Sequence, residues 1–126
     1  MKNVSIKGLL IAIVVTLLLD TVGGVAGIPL FAKDMSDEAI MAIYKQTNFL
    51  IYALVAGLLT TFLGGYICGK YGKYAPYKNS IIFGVLGVVI GLVFVTFDPL
   101  WFDIIGLITI VPVAVLGGHI AARKNA

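Results

Sequence analysis

Charge is scarce in this sequence. Only 12% of its 126 residues are Asp, Glu, Lys or Arg, and 60% are hydrophobic. A soluble domain carries roughly 25% charged residues. With a mean hydropathy of +1.07, too little polar surface is left to cover a water-soluble globule, so lipid is the expected solvent for most of the chain. Cysteine is nearly absent as well. One residue, Cys68, excludes an internal disulfide, and there is no CxxC or Cys/His ligand spacing, so no metal, haem or iron–sulfur cofactor is expected. The formal net charge is +3. Its basic residues sit beside apolar runs and are not interleaved with aromatics, so nucleic acid is not an expected partner.

Four long apolar runs remain, at about 8–31, 49–69, 80–97 and 103–122. A helix needs roughly 20 apolar residues to cross the hydrocarbon core, with a range of about 17–25. The runs do not alternate in polarity, which predicts helices rather than barrel strands. The stretch 32–48 predicts a loop holding a short helix. Ser36 supplies a cap, Asp37 and Glu38 follow at the positive end of the helix dipole, and apolar residues from Ala39 to Tyr44 come next. That helix is expected to cover the bundle end, with a substrate lid as the alternative. Lys2, Lys7 and a small-residue Gly24-Val25-Ala26 site also suit a cleaved signal peptide, but the apolar run continues to Phe31, which argues for a retained span.

The few charges predict orientation. Lys2, Lys7, Lys70, Lys73, Lys78, Arg123 and Lys124 fall on one side with no acid among them. Lys33, Lys45, Asp34, Asp37, Glu38, Asp98 and Asp103 fall on the other. The positive-inside rule places the first side, and both termini, in the cytoplasm. Trp101 beside Asp98 and Pro99 fits an outer aromatic anchor, and Tyr71, Tyr74 and Tyr77 fit an inner one.

Small residues recur every four positions: Gly8, Ala12, Thr16, Asp20 and Gly24 in the first span; Ala53, Gly57, Thr61, Gly65 and Gly69 in the second. Gly84, Gly87 and Gly91 mark the third, and Gly106, Ala114, Gly118 and Ala122 the fourth. In lipid such stripes mark helix contacts, because close backbone approach replaces the hydrophobic drive. Gly24, Gly57, Gly64, Gly65, Gly84, Gly87, Gly91, Gly117 and Gly118 are therefore the expected packing positions, with a contact to a second copy as the alternative.

The segment Leu63-Gly64-Gly65-Tyr66-Ile67-Cys68-Gly69-Lys70 also aligns with Leu116-Gly117-Gly118-His119-Ile120-Ala121-Ala122-Arg123. Both run toward the cytoplasmic side, so the repeat is parallel. The expected fold is all-α: one transmembrane domain over 1–126, a membrane-embedded four-helix bundle of two pseudo-repeated hairpins. The repeated Leu-Gly-Gly-Tyr/His endings, the basic loop with Tyr, Ala and Pro, and an Asp in the first span resemble a group of small bacterial four-helix integral membrane proteins. The resemblance implies a bacterial cytoplasmic (inner) membrane protein and carries over no catalytic residue. Small multidrug transporters share an acid in the first helix, but their aromatic motifs are missing here.

Asp20 stands apart. It lies 13 residues from both Lys7 and Lys33, near mid-bilayer, where an acid costs roughly 2.5–3.5 kcal/mol. No Lys or Arg lies within a span to neutralise it. Thr16, Thr60 and Thr61 complete the candidate proton, ion or substrate site, with Thr109 a further hydrogen-bond candidate. Pro29 withholds one backbone donor, leaving the carbonyl of Val25 without its usual partner, so an irregular second half of this span is expected. Pro112 reads as a kink and Pro76 as a loop element. His119, close to Arg123, is either an interfacial ring or a proton relay. One Asp and one His do not make the convergent polar set an enzyme needs. A non-enzymatic structural, assembly or accessory component, in a homo-oligomer or larger membrane complex, is the first expectation. A small oligomeric proton-coupled transporter or channel using Asp20 is the alternative.

Overall fold

The computed structural model describes residues 4–43, 45–72, 76–93 and 100–125. Lys2, Tyr44, Lys73, Tyr74, Asp98, Pro99 and the 94–97 end of the third expected span lie outside them. The described residues form five helices: α1 (Ile6–Phe31), α2 (Asp37–Ile43), α3 (Thr47–Tyr71), α4 (Pro76–Val93) and α5 (Leu100–Asn125). No strand occurs among the described residues. All but α2 are long and apolar enough to cross a membrane.

Local chemistry sets the helix ends. Ser5 caps α1, its hydroxyl accepting the Gly8 N–H at 3.0 Å. α1 then runs unbroken through Pro29 to Phe31, so the irregular half-helix expected there does not form. Pro29 lies in the last turn, an apolar helix in lipid tolerates proline by small local adjustments, and the Ala32 N–H closes the end on the Ile28 carbonyl at 2.8 Å. Ser36 caps α2 by accepting the Ala39 N–H at 3.2 Å. Asp34 accepts the Ser36 N–H at 2.7 Å. The Ser36 hydroxyl, and then this N–H, hold the Asp34 carboxyl below the usual carboxylate range. α2 is separate from α3: turn bonds from Lys45 to Ala42 and from Gln46 to Ile43 intervene. Pro76, expected in a loop, is the first residue of α4. Its missing N–H would have no intrahelical partner at that position, and its φ already suits a helix. α5 runs through Pro112.

The starts of α1 and α4 and the ends of α3 and α5 gather at one end of the bundle, called here the terminal end. The Ser5 N–H donates to Asn79 Oδ1 at 3.0 Å, and Asn79 Nδ2 donates to the Cys68 carbonyl at 2.7 Å. Ser80 donates to the Gly65 carbonyl at 2.9 Å. Asn79 and Ser80 are fully buried, and each is satisfied by these bonds. The apolar core, Leu9, Ala12, Cys68, Phe83 and Ala114, sits beside them.

Glycine makes this end close. α3 is central, with α1, α4 and α5 against it, and α5 also packs on α4. At the α3–α5 crossing a side chain on Gly65 would strike the backbone of Ala114, and one on Gly117 the carbonyl of Phe62. Gly69 approaches the Gly118 Cα, 2.8 Å from where its own Cβ would stand. Gly64 seats Phe83 and Thr16, and Gly84, Gly87 and Gly91 seat Val111, Ile110 and Leu107.

The far half is different. An added Cβ at Gly23, Gly24 or Gly57 meets nothing within 4 Å. Gly24 and Gly57, expected as packing positions, therefore face open space. α1 lies on α3, grazes α4 and has no comparable packing on α5 among the described residues, so these two glycines have no helix to receive. Along the α1 stripe, Gly8, Ala12 and Thr16 are buried, whereas Asp20 and Gly24 are exposed. The hairpins are thus placed unequally, with α4 packed on α3 but α1 standing off α5.

Candidate functional site

Asp20 stands where the α1 stripe leaves the bundle. The Thr60 hydroxyl on α3 donates to Asp20 Oδ1 at 2.6 Å. The same hydroxyl lies 2.9 Å from the Gly57 carbonyl. It has one proton and two acceptors. When Asp20 is a carboxylate, Thr60 donates to it. When Asp20 carries a proton, that proton is donated to Thr60 and the Thr60 proton turns to Gly57. The acid keeps a hydrogen-bond partner in either charge state without any change of backbone.

The other expected partners are used elsewhere. Thr61 donates to the Gly57 carbonyl at 2.8 Å, Thr16 to the Ala12 carbonyl at 2.8 Å, and Thr109 to the Ile105 carbonyl at 2.7 Å. Such back-bonding to the preceding turn is the common fate of a hydroxyl inside an apolar helix. Of the four candidate residues, the structure joins Asp20 and Thr60 directly. Thr16 and Thr61 share a cavity with Asp20 but do not bond to it.

Three cavities meet at Asp20. One of about 280 Å³ lies between α3 and α5, with Asp20, Thr61, Phe102 and Asp103 among its walls. A second of about 220 Å³ reaches back to Thr16, Phe83 and Gly87. A third of about 210 Å³ runs between α1 and α3, past Gly23, Gly24, Gly57 and Thr60 toward Phe49 and Tyr52. Glycine removes the side chains that would fill this space. At the far end α1 returns to α3 through aromatics. Tyr52 donates to the Gly23 carbonyl at 2.7 Å. The Phe31 ring lies 5.7 Å from Phe49 and 5.4 Å from Tyr52. Gly27 admits both α3 rings at 3.0 Å from its Cβ position. No group of three or more His, Cys, Asp or Glu suited to a metal ion occurs among the described residues.

His119 belongs to a separate cluster. Its Nδ1 is 2.5 Å from the Tyr77 hydroxyl, joining the end of α5 to the start of α4. Lys124 lies 5.7 Å above the centre of the Tyr66 ring. The α5 wall of the Asp20 cavities ends at Ile110, nine residues and about 14 Å of helix rise from His119. The structure does not bring His119 to Asp20.

Sequence reasoning missed the α5 wall, Tyr52, and the Tyr77–His119 pair. Asp103 read as an ordinary outer charge, and Tyr52 and Asn79 carried no periodic signal of their own. Their roles depend on which helices are neighbours, and spacing along one helix does not encode that. No protein-family model, curated protein or solved structure matches the chain.

Proposed function

We propose that this chain crosses the bacterial cytoplasmic membrane four times, with both termini in the cytoplasm, and works as a small proton-coupled transporter or channel whose loading site is Asp20. The observation that carries this reading is that Asp20 opens onto three cavities. An acid kept only to hold helices together would be enclosed at a contact, as Asn79 is. Instead, the helix faces around Asp20 are cut back to glycine. The Thr60 hydroxyl supports the same reading, because it serves the acid both with and without its proton. In this orientation the terminal end, carrying Lys7, Lys70, Lys78, Arg123 and Lys124, meets the cytoplasm. The far end, with Asp34, Asp37, Glu38 and Asp103, faces outward. A second copy against the open side of α1 completes the enclosure of the site in a homo-oligomer.

The test is proton flux into lipid vesicles containing the purified protein, followed with an enclosed pH dye under an imposed gradient with inorganic and organic cations present. Wild type is expected to conduct, and Asp20→Asn to lose the flux while eluting at the same size in detergent. A wild type that carries no flux, with Asp20→Asn also neutral for assembly, returns the chain to a non-enzymatic assembly or accessory role.

A further inference from the structure

We infer that the cavity between α3 and α5 takes an apolar organic monocation, which exchanges with the proton on Asp20. This rests on the transport reading above and names the cargo. Charge sign comes first. Two carboxylates, Asp20 and Asp103, line the cavity, and no Lys, Arg or His does among the described residues. Anions are repelled, and cations are concentrated by low-dielectric walls.

Size and wall chemistry then separate organic from inorganic cations. The cavity holds about 280 Å³, near the roughly 300 Å³ lower limit of small-molecule sites. Beyond the two acids and Thr61, its walls are Leu54, Leu58, Phe102, Leu107 and Ile110 with small residues between them. A hard ion such as calcium takes about 6–8 oxygen ligands. Here the side-chain oxygens in the wall are those of Asp20, Asp103 and Thr61, spread over three helices and too few for such a shell, and the leucine walls offer none. An alkyl or aryl ammonium ion needs no such shell. Its carbon surface matches the leucines, and an aromatic ring such as that of Phe102 in the wall attracts a cation.

Asp103 lies in the first turn of α5, and the cavity runs from there to Asp20. Arrival past one carboxylate and pairing with the second follow from that order. The exchange balances: a protonated Asp20 releases H⁺ as the cation pairs with the carboxylate, so the net charge at the site is unchanged. Facing Asp20 across these cavities, the titratable groups are Asp103 on α5 and Tyr52 on α3, and α4 contributes none.

The experiment uses the full chain in nanodiscs of uncharged lipid, with benzyltrimethylammonium as probe, in weakly buffered calorimetry that also records pH. Saturable binding with release of up to one proton per cation is expected. Asp20→Asn should lose both signals, and Asp103→Asn should weaken affinity by about tenfold, the scale of one like-placed charge. Gly106→Leu grows a side chain into open space on the α5 wall, where the nearest atom to a Cβ is Leu54 Cδ1 at 4.0 Å. It should weaken benzyltrimethylammonium at least tenfold and spare tetramethylammonium, which also shows that the variant is folded. Asp20-dependent proton flux with no binding of either ammonium ion, or with sodium bound instead, overturns the cargo and leaves the transport reading standing. Absence of both proton flux and cation binding overturns the two together.

Discussion

Thr60 is the residue on which the chemistry of Asp20 turns. Its hydroxyl is the nearest group to the acid, at 2.6 Å, and has a second acceptor at 2.9 Å. Thr60→Val keeps the shape and removes the hydroxyl, so Asp20 loses a partner in both of its charge states. A hydrogen bond to a charged group is worth about 1.5–3 kcal/mol. Proton flux in vesicles is therefore expected to fall roughly tenfold or more. Thr60→Ser restores the hydroxyl and should recover most of it. A Val variant that conducts like wild type would remove Thr60 from the mechanism. Asp20 itself was legible in the sequence, because an acid in an apolar run is conspicuous and expensive. That Thr60, and neither Thr16 nor Thr61, would reach it was not legible. Thr60 and Thr61 are consecutive on α3, and which of them faces α1 depends on the rotation of α3, whereas Thr16 lies one turn from Asp20 on α1 itself and bonds to its own helix.

At the scale of the helix, glycine has two opposite uses. At the terminal end it lets backbones touch, and at Gly23, Gly24 and Gly57 it leaves space. The same substitution separates them. Gly65→Ala drives a methyl group into the Ala114 backbone, and overpacking of that kind costs roughly 1–3 kcal/mol or more. Gly24→Ala meets nothing within 4 Å and relieves a helix-interior glycine, a gain of roughly 0.5–1 kcal/mol. Unfolding in mixed micelles, followed by circular dichroism, should show the two shifts with opposite signs. Equal losses would mean that the far half closes on itself as tightly as the terminal half. The four-residue spacing marks glycines of both kinds. It could not sort them, since a glycine looks the same in sequence whether its neighbour is a helix or a cavity. The helices themselves were readable from apolar run length. Their ends were less so: α4 starts at Pro76 and α5 at Leu100, ahead of the apolar runs, because caps and first turns accept polar residues that a hydropathy reading assigns to loops.

In the whole molecule, close backbone approach and buried polar bonds are concentrated at one end. Asn79 ties the start of α1 to α3 and α4, and Cys68 holds its thiol 3.8 Å from the Gly8 carbonyl. Toward the other end, α1 is held to α3 by the Thr60 bond to Asp20, the Tyr52 bond and the Phe31 ring contacts. Spin labels report this difference directly, because native Cys68 is fully buried and does not compete for thiol reagents. Labels at Val22 and Ile108, both exposed, are expected to give a broad distance distribution. Labels at Lys7 and Lys78 across the terminal end should give a narrow one. Equally narrow distributions would mean that α1 is fixed along its whole length.

The buried Asn79 fastening has a mechanical consequence. It makes α1 a lever with its fulcrum beside Gly8. Asp20 lies 12 residues along the arm and Phe31 lies 23. A swing of about 10° carries Asp20 through roughly 3 Å and the tip through roughly 6 Å at 1.5 Å of rise per residue. That travel is enough to break the Thr60 bond and unstack the Phe31 ring, while the core beside the fulcrum barely stirs. A small rotation of one rod, with no helix unwound, is sufficient to move the acid from its Thr60 contact toward another wall of the cavities around it.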